Sequence, residues 1–178
     1  ENRTDKIRVV RADAQGNCLW SNLYGGEGLN QLKKVLPIES GGFLLAGQFL
    51  PDWPGLIDLE LLRIDDSGDT LWTRRYGLRL NQEYFTDIVP AADDGWLIMG
   101  QDIGGGEIQP YPHIVLVRVD SQGDTLWTKT YGDEETLVAA NSLLPTDDGG
   151  FLLNCVKDWD NERAWLIKIN ADGDSVLS

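Results

Sequence analysis

A nine-residue pattern recurs along this chain of 178 residues and limits its possible folds more than any other feature. Its third copy, residues 119–127, reads Val-Asp-Ser-Gln-Gly-Asp-Thr-Leu-Trp. The other copies begin at Ala12, Ile64 and Ile169, so that the glycines they share are 52, 55 and 50 residues apart. A period of about 50 residues indicates a repeat architecture, in which stacked units of similar structure build a continuous core.

Each repeat is predicted to contain four short β-strands and no helix. The first strand is apolar and rich in β-branched residues, as in 114–119. An Asp-x-x-Gly-Asp turn leads to a second strand with a Trp and, four residues later, a Tyr, as at Trp127 and Tyr131. An even spacing places both rings on one face of the strand, where they suit packing between neighbouring units. The third strand ends near a proline such as Pro145, and a Gly-rich turn leads to a fourth that opens on Phe or Trp.

Four short strands in about 50 residues predict an all-β fold of the β-propeller type. We expect one region, 1–178, that forms an arc of four-stranded antiparallel blades, three of them full and a fourth partial. The repeats cover approximately 7–58, 59–113, 114–164 and 165–178. Because a ring normally needs about 4 to 8 blades, we expect the arc to be part of a larger propeller. Further blades of the same protein or neighbouring chains would cover its open ends.

The composition of the chain disfavours several classes of partner and a disulfide bond. The net charge of −14 disfavours nucleic acid and anionic membrane surfaces, which bind positively charged footprints. No apolar run approaches the about 20 residues that a membrane-spanning helix needs, which excludes helical membrane insertion. Cys18 and Cys155 occupy different repeat positions two repeats apart, so both are predicted to be buried free thiols and not a disulfide.

Variation in length separates scaffold from candidate binding surface. The turn glycine and the Trp are always 4 residues apart, whereas the aromatic residue of the fourth strand and the next turn glycine are 25, 27 and 22 apart. In an up-and-down blade the constant turns share one face, and the variable loops share the opposite one. We therefore predict binding on the variable face. Its candidate residues are Trp53, Arg79, Tyr84, Tyr111, His113, Trp159 and Arg163.

The recurrent acidic turns, the first-strand cations and the single histidine each have a structural interpretation. The Asp-x-x-Gly-Asp turns resemble part of a calcium loop, but their recurrence and their few oxygens favour hairpin turns, and no metal or cofactor is predicted. Each first strand carries a cation, which is expected to pair with a carboxylate and not to form an anion-binding ring. These cations are Arg11, Arg63, Arg118 and Lys168. His113 is the single histidine, and no catalytic residues are predicted.

Two segments of the third repeat, 120–132 and 146–153, resemble a known family. Their sequences, Asp-x-x-Gly-Asp-Thr-Leu-Trp-Thr-x-x-Tyr-Gly and Thr-Asp-Asp-Gly-Gly-Phe-Leu-Leu, are similar to propeller repeats of secreted and surface proteins of Bacteroidota-type bacteria, often cargo of the type IX secretion system. The resemblance implies an extracellular or cell-surface location and no shared catalytic residues. The expected function is a non-catalytic binding or scaffold module for a protein or glycan partner. The alternative is an enzyme of quinoprotein-like or carbohydrate-active type whose catalytic groups lie outside this segment.

Overall fold

A computed structural model describes residues 4–25, 28–50, 56–77, 82–103, 112–132, 137–157 and 163–177. These ranges contain β-strands and no helix, so that none of their elements could cross a bilayer as an apolar helix. The strands are β1 (Thr4–Asp5), β2 (Ile7–Ala12), β3 (Cys18–Tyr24), β4 (Gly28–Pro37), β5 (Phe43–Leu50), β6 (Asp58–Ile64), β7 (Thr70–Tyr76), β8 (Glu83–Pro90), β9 (Trp96–Asp102), β10 (His113–Val119), β11 (Thr125–Tyr131), β12 (Val138–Pro145), β13 (Phe151–Lys157), β14 (Arg163–Ile169) and β15 (Ser175–Leu177).

The strands form larger sheets of repeated design and one separate hairpin. Strands β4 to β7, β8 to β11 and β12 to β15 each pair in chain order as an antiparallel four-stranded set. The short strand β1 adds a parallel edge to β4, and β2 pairs with β3. The predicted all-β fold with four-stranded antiparallel sheets is therefore confirmed.

The structure groups the strands into sheets differently from the sequence repeats, so the predicted boundaries between sheets are wrong. Each four-stranded set combines the third and fourth strands of one sequence repeat with the first two of the next. The connection after the fourth strand folds back within the sheet, so that β5 pairs with β6 and Phe43 lies opposite Ile64. The incomplete sheet is consequently the hairpin β2–β3 and not the last segment of the chain. A periodic pattern fixes the repeat length but not the point at which one sheet ends.

The chain forms two compact units, Glu1–Tyr76 and Gly77–Ser178, which we describe separately. In the first unit, the hairpin β2–β3 packs on one face of the larger sheet, where Tyr24, Leu45, Leu62 and Ile64 are buried together. In the second unit, the sheets β8–β11 and β12–β15 share one apolar core. Its largest contributors include Met99, Leu116, Phe151, Leu153 and Ile167.

The Asp-x-x-Gly-Asp segments are hairpin turns, as predicted. In the turn between β6 and β7, Oδ1 of Asp65 accepts hydrogen bonds from the backbone N–H groups of Ser67 and Asp69 at 2.8 and 2.9 Å. Gly68 has a φ of 84°, a conformation that glycine adopts without steric cost. The turn thus satisfies its own backbone donors by local side-chain contacts.

A β-bulge follows each of these turns and explains a recurrent exposed leucine. In the pair β6–β7, Arg63 lies opposite Trp72 and Ile64 lies opposite Thr70, which leaves Leu71 as the extra residue. Leu71 is 56% exposed, and Leu126 at the equivalent place is 54% exposed. The bulged residue is displaced from the ladder, so its exposure reflects strand geometry.

The recurrent Trp and Tyr attach one sheet to the next turn. Trp20 Nε1 donates to the carbonyl of Asp66 at 2.8 Å, and the Tyr24 hydroxyl donates to the carbonyl of Gly68 at 2.6 Å. In the second unit, Trp127 Nε1 donates to the carbonyl of Ala171, and the Tyr131 hydroxyl donates to that of Gly173. These contacts confirm that the aromatic pairs serve packing between sheets. Each ring contributes apolar area, while its polar atom binds a turn carbonyl.

The predicted pairing of the first-strand cations with carboxylates is confirmed at three positions. Arg11 binds Asp66, Arg118 binds Asp93, and Lys168 binds Asp148. Arg63 instead donates to backbone carbonyl groups, among them that of Gly41 at 2.6 Å. Burial lowers the pKa of Arg63, whereas the neighbouring charges of Asp66 and Asp65 oppose this shift.

The Lys168–Asp148 pair predicts a pH-dependent contribution to stability. Hydrogen bonds from Lys168, Thr146 and the Gly150 N–H lower the pKa of Asp148 below its ordinary value of 3.8. A carboxyl with a depressed folded-state pKa stabilises the fold above its unfolded-state pKa and loses this effect as the pH falls. We expect Asp148→Asn to lower the urea midpoint at pH 7 and to lower it by less at pH 2, where the unfolded-state carboxyl is protonated and only part of the stabilisation remains. Asp147→Asn, at an exposed neighbour, is the control and should have little effect at either pH.

The two cysteines differ in accessibility. Both are free, as predicted, but Cys18 is exposed, which corrects the prediction of two buried thiols. Cys18 begins the edge strand of a two-stranded hairpin, whereas Cys155 is in the core of the second unit. Burial raises the pKa of Cys155 to about 12.

Thiol labelling should distinguish the two environments. We expect a thiol-specific reagent at pH 8 to modify Cys18 in the native protein and to reach Cys155 only after denaturation, because the attacking species is the thiolate. Mass spectrometry of labelled peptides measures both sites. Equal labelling rates in the native protein would contradict the burial of Cys155.

Candidate functional site: the loop ends of the sheets

The two ends of each sheet differ in how much their connections vary. At one end, which we name the turn end, connections such as 38–42, 65–69 and 120–124 have five residues each. At the opposite end, which we name the loop end, the two central strands of each four-stranded sheet are joined by 51–57, 103–112 and 158–162. The turn end is therefore uniform, and the loop end carries the variation in length.

The structure describes three of the seven predicted binding residues. Tyr84 is half-buried near the start of β8, and its hydroxyl donates to Oε1 of Gln82 at 3.3 Å. Arg163 is exposed at the start of β14, and His113 is buried at the start of β10. Trp53, Arg79, Tyr111 and Trp159 lie outside the described residues. The described three belong to strand ends at the loop end, and their role in binding stays a prediction.

A row of buried ionisable side chains crosses the loop end of the sheet β8–β11. Glu83 lies directly opposite Asp102, and Asp102 lies directly opposite His113. Directly opposed residues have side chains on one face with Cβ atoms about 5 Å apart. Glu83 and Asp102 are fully buried and His113 is 7% exposed. The two carboxylates are not recognisable as site residues from the sequence, because only the strand register brings them beside the histidine.

The environment of His113 is fixed from two sides. Its ring packs on Gly132, where an added Cβ would lie 2.8 Å from the ring carbon Cδ2. Its backbone carbonyl accepts a hydrogen bond from Gln101 Nε2 at 3.0 Å. Within the described ranges, its buried Nδ1 has no hydrogen-bond partner. The packing therefore leaves the ring little freedom to turn.

Two polar side chains hold the neighbouring strand β12 against this sheet. Gln101 donates to the carbonyl of Val138 at 2.9 Å and accepts from the N–H of Ala140 at 2.8 Å. Asp87 accepts from the N–H of Leu143 at 2.8 Å. These groups flank the bulge in β12, where the regular ladder is interrupted. The side chains thus satisfy backbone groups at an irregular point and fix the position of the loop end.

The first unit contains a groove between the hairpin β2–β3 and the face of β6 and β7. Its volume is about 370 Å³, within the range of small-ligand sites. Arg75 Nε donates to Glu60 Oε2 at 2.8 Å on its wall, and the guanidinium stacks 3.3 Å from the centre of the Phe49 ring. Thr70, Thr73, Leu23 and Leu62 also line it.

The groove offers both polar and apolar contacts to a ligand. Glu60 can accept hydrogen bonds and Arg75 can donate them, while the stacked aromatic ring restrains the guanidinium. Burial raises the pKa of the nearby Asp58 carboxyl, and the charge of Arg75 opposes that shift. The sequence signal for this site was a carboxylate, Glu60, in a first strand whose recurrent charge is the cation at Arg63. Its counterpart in β10 is Val115.

The described residues provide no arrangement that identifies a metal centre. Among them, no group of three or more His, Cys, Asp or Glu side chains is placed to hold a metal ion. Comparison of the chain with protein-family models gives no match, and comparison with curated proteins gives none either. The geometry of the loop ends and of the groove is therefore the basis for a functional assignment.

Proposed function

We propose that this chain is a segment of a β-propeller that acts as a non-catalytic scaffold and binds a protein or glycan partner at the loop ends of its sheets. The observation that carries the proposal is the separation of uniform five-residue turns from connections of varied length at opposite ends of each sheet. Rigid sheets that present variable loops are a common design for recognition.

The repeated sheets support the propeller arrangement. Three four-stranded sets share one strand order, and within each unit a Trp and a Tyr bind the turn of the following repeat. Such regular attachment is expected where equivalent blades follow one another around an axis. Solution scattering on the whole protein would distinguish a curved arc from an extended array of sheets.

The partner class follows from the net charge of the chain and from the side chains that line the groove of the first unit. With a net charge of −14, the chain is not suited to nucleic acid, and we propose no membrane insertion. A groove that combines a carboxylate–guanidinium pair with threonines and leucines suits the hydroxyl groups and apolar faces of a sugar or a peptide. We propose an extracellular or cell-surface location, for which the family resemblance is the support.

Binding to a printed glycan array, followed by titration of the best ligand, tests the proposal. Trp53→Ala, Trp159→Ala and Arg163→Ala should each weaken binding by about tenfold or more if they are contact residues. Leu71→Ala and Leu126→Ala are controls, because both leucines are exposed at the turn end. For a protein ligand, the same variants are titrated against the purified partner. Binding that only the leucine variants weaken would overturn the assignment to the loop ends.

The enzyme alternative predicts a different result. A quinoprotein-like or carbohydrate-active propeller would turn over substrate with added quinone or metal, and turnover would depend on residues outside this segment. Catalysis by the segment itself would contradict the proposed scaffold role.

A further inference from the structure

Among the residues that the structure describes, the hairpin β2–β3 lacks a neighbouring strand that each equivalent hairpin has. Strands β6, β10 and β14 correspond to β2 in the repeat, and each is paired on both sides. Within the described residues, β2 pairs only with β3. Val10 is 54% exposed, whereas its counterpart Leu62 is 8% exposed. One edge and one apolar face of this hairpin are therefore open.

In the sheets β8–β11 and β12–β15, the edge that corresponds to the open edge of β2 is covered by a neighbouring hairpin, and the first-strand cation binds the turn of that hairpin. Arg118 donates to the Trp96 carbonyl at 3.2 Å and binds the Asp93 carboxylate, both at the Gly turn that joins β8 and β9. Lys168 binds Thr146 and Asp148, each at 2.8 Å, in the turn that joins β12 and β13. The cation thus anchors the turn of the hairpin that pairs with its own strand.

Close packing at this turn requires glycine. A Cβ on Gly95 would lie 2.2 Å from the carbonyl oxygen of Val119, and one on Gly150 would lie 2.3 Å from that of Ile169. Both carbonyl groups belong to the residue after the cation. A hairpin that fits this place must therefore carry glycine beside the end of the receiving strand.

Arg11 is the member of this set without such a turn among the described residues. It binds the carbonyl and the carboxylate of Asp66 at 2.6 and 2.7 Å instead. Its side chain is 33% exposed, compared with 6% for Arg118 and 19% for Lys168. Lys6 and Arg8, which are also exposed, add positive charge to this edge of an acidic chain.

We propose that the open edge of β2 binds a β-hairpin of the chain's own repeat type, with an acidic Gly turn seated on Arg11. The incoming strand would continue the ladder along β2, its glycine would lie against the Ala12 carbonyl, and its turn carboxylate would bind the guanidinium. Strand addition supplies backbone hydrogen bonds, while the charged turn and the glycine supply specificity. This site is separate from the loop ends and does not depend on the proposed ligand-binding function.

The probe is a fluorescent peptide that copies residues 138–157, titrated into the whole protein under reducing conditions. We expect saturable binding and slower hydrogen exchange of the amides of Ile7–Ala12. Arg11→Gln should weaken binding by about tenfold or more, as expected for loss of hydrogen bonds to a charged group. Arg11→Lys should retain most of it, because Lys168 performs this role in the last sheet. In the peptide, Asp148→Asn and Gly150→Ala should weaken binding, whereas Asp147→Asn should not.

A fusion distinguishes a peptide that fails to fold from a site that does not exist. Residues 138–162, placed before Lys6, reproduce the connection by which β13 reaches β14. The fusion should melt at a higher temperature than the parent chain, and Gly150→Ala in the added segment should remove the gain. A fusion that melts at the parent temperature, without protection of β2 amides, would overturn the proposal. Equal binding of the Arg11→Gln variant and the parent would also overturn it.

Discussion

Gly95→Ala is expected to lower the free energy of unfolding of the second unit by about 3 to 5 kcal/mol. An added Cβ would lie 2.2 Å from the Val119 carbonyl oxygen and 2.5 Å from Nη1 of Arg118. The carbonyl belongs to the central strand β10, whose seven residues are all buried, so it has little room to move. The arginine would have to release its bond to the Trp96 carbonyl, which leaves buried polar groups unsatisfied. Urea unfolding monitored by tryptophan fluorescence measures the change.

The matched control for this experiment is Gly149→Ala. Gly149 also lies in a Gly turn, but no neighbouring atom lies within 4 Å of its added Cβ. Its φ of 80° makes alanine cost about 1 to 2 kcal/mol through backbone strain alone. A Gly95→Ala variant no less stable than Gly149→Ala would show that the turn beside Arg118 yields easily.

The fold was predictable where a residue's role depends on near neighbours in the chain. The Asp-x-x-Gly-Asp turns close through contacts two and four residues apart, so their sequence is sufficient to identify them. The even spacing of Trp127 and Tyr131 likewise fixed their common face without knowledge of the partner. Because these features depend only on residues close in the sequence, the same pattern predicts the same local structure in each repeat.

The grouping of strands into sheets was not predictable in the same way. The connection 51–57 joins two paired strands of one sheet, whereas 77–82 leads from one sheet to the next. Their lengths do not differ enough to show which one folds back. The outcome depends on which apolar faces meet, a long-range property of the whole sheet. Cys18 is exposed because it lies beside the bulge on an edge strand, as do its counterparts Thr70 and Thr125, which are also exposed in the four-stranded sheets.

The candidate site was only partly predictable, for a related reason. Glu83 and His113 are 30 residues apart, and each becomes a neighbour of Asp102 only through strand register. The ion pair Arg75–Glu60 joins two strands of a hairpin, and it becomes a candidate binding feature only because it lines the groove. Single-residue signals, such as a charge in an apolar strand, identify members of such a site but not the site itself.

Trp127→Ala is expected to cost the second unit about 3 to 5 kcal/mol of unfolding free energy. The indole packs against the core shared by the two sheets, and its Nε1 donates to the Ala171 carbonyl in the turn before β15. Gly173 approaches so closely that an added Cβ would lie 2.7 Å from the indole, so removal of the ring leaves a cavity beneath the turn. The measurement is urea unfolding, with hydrogen exchange of 170–177 to locate the loosened segment.

Two further variants separate the packing of this ring from its hydrogen bond and from its place on the strand. Tyr131→Phe removes only the hydrogen bond to the Gly173 carbonyl and should cost about 1 kcal/mol. Leu126→Ala changes the neighbouring bulge residue, which is 54% exposed, and should cost less than about 0.5 kcal/mol. If Leu126→Ala were as damaging as Trp127→Ala, the strand and not the indole would secure the following turn. The contact of the indole with the next repeat would then contribute little energy, and the recurrence of tryptophan would reflect its preference for β-strands.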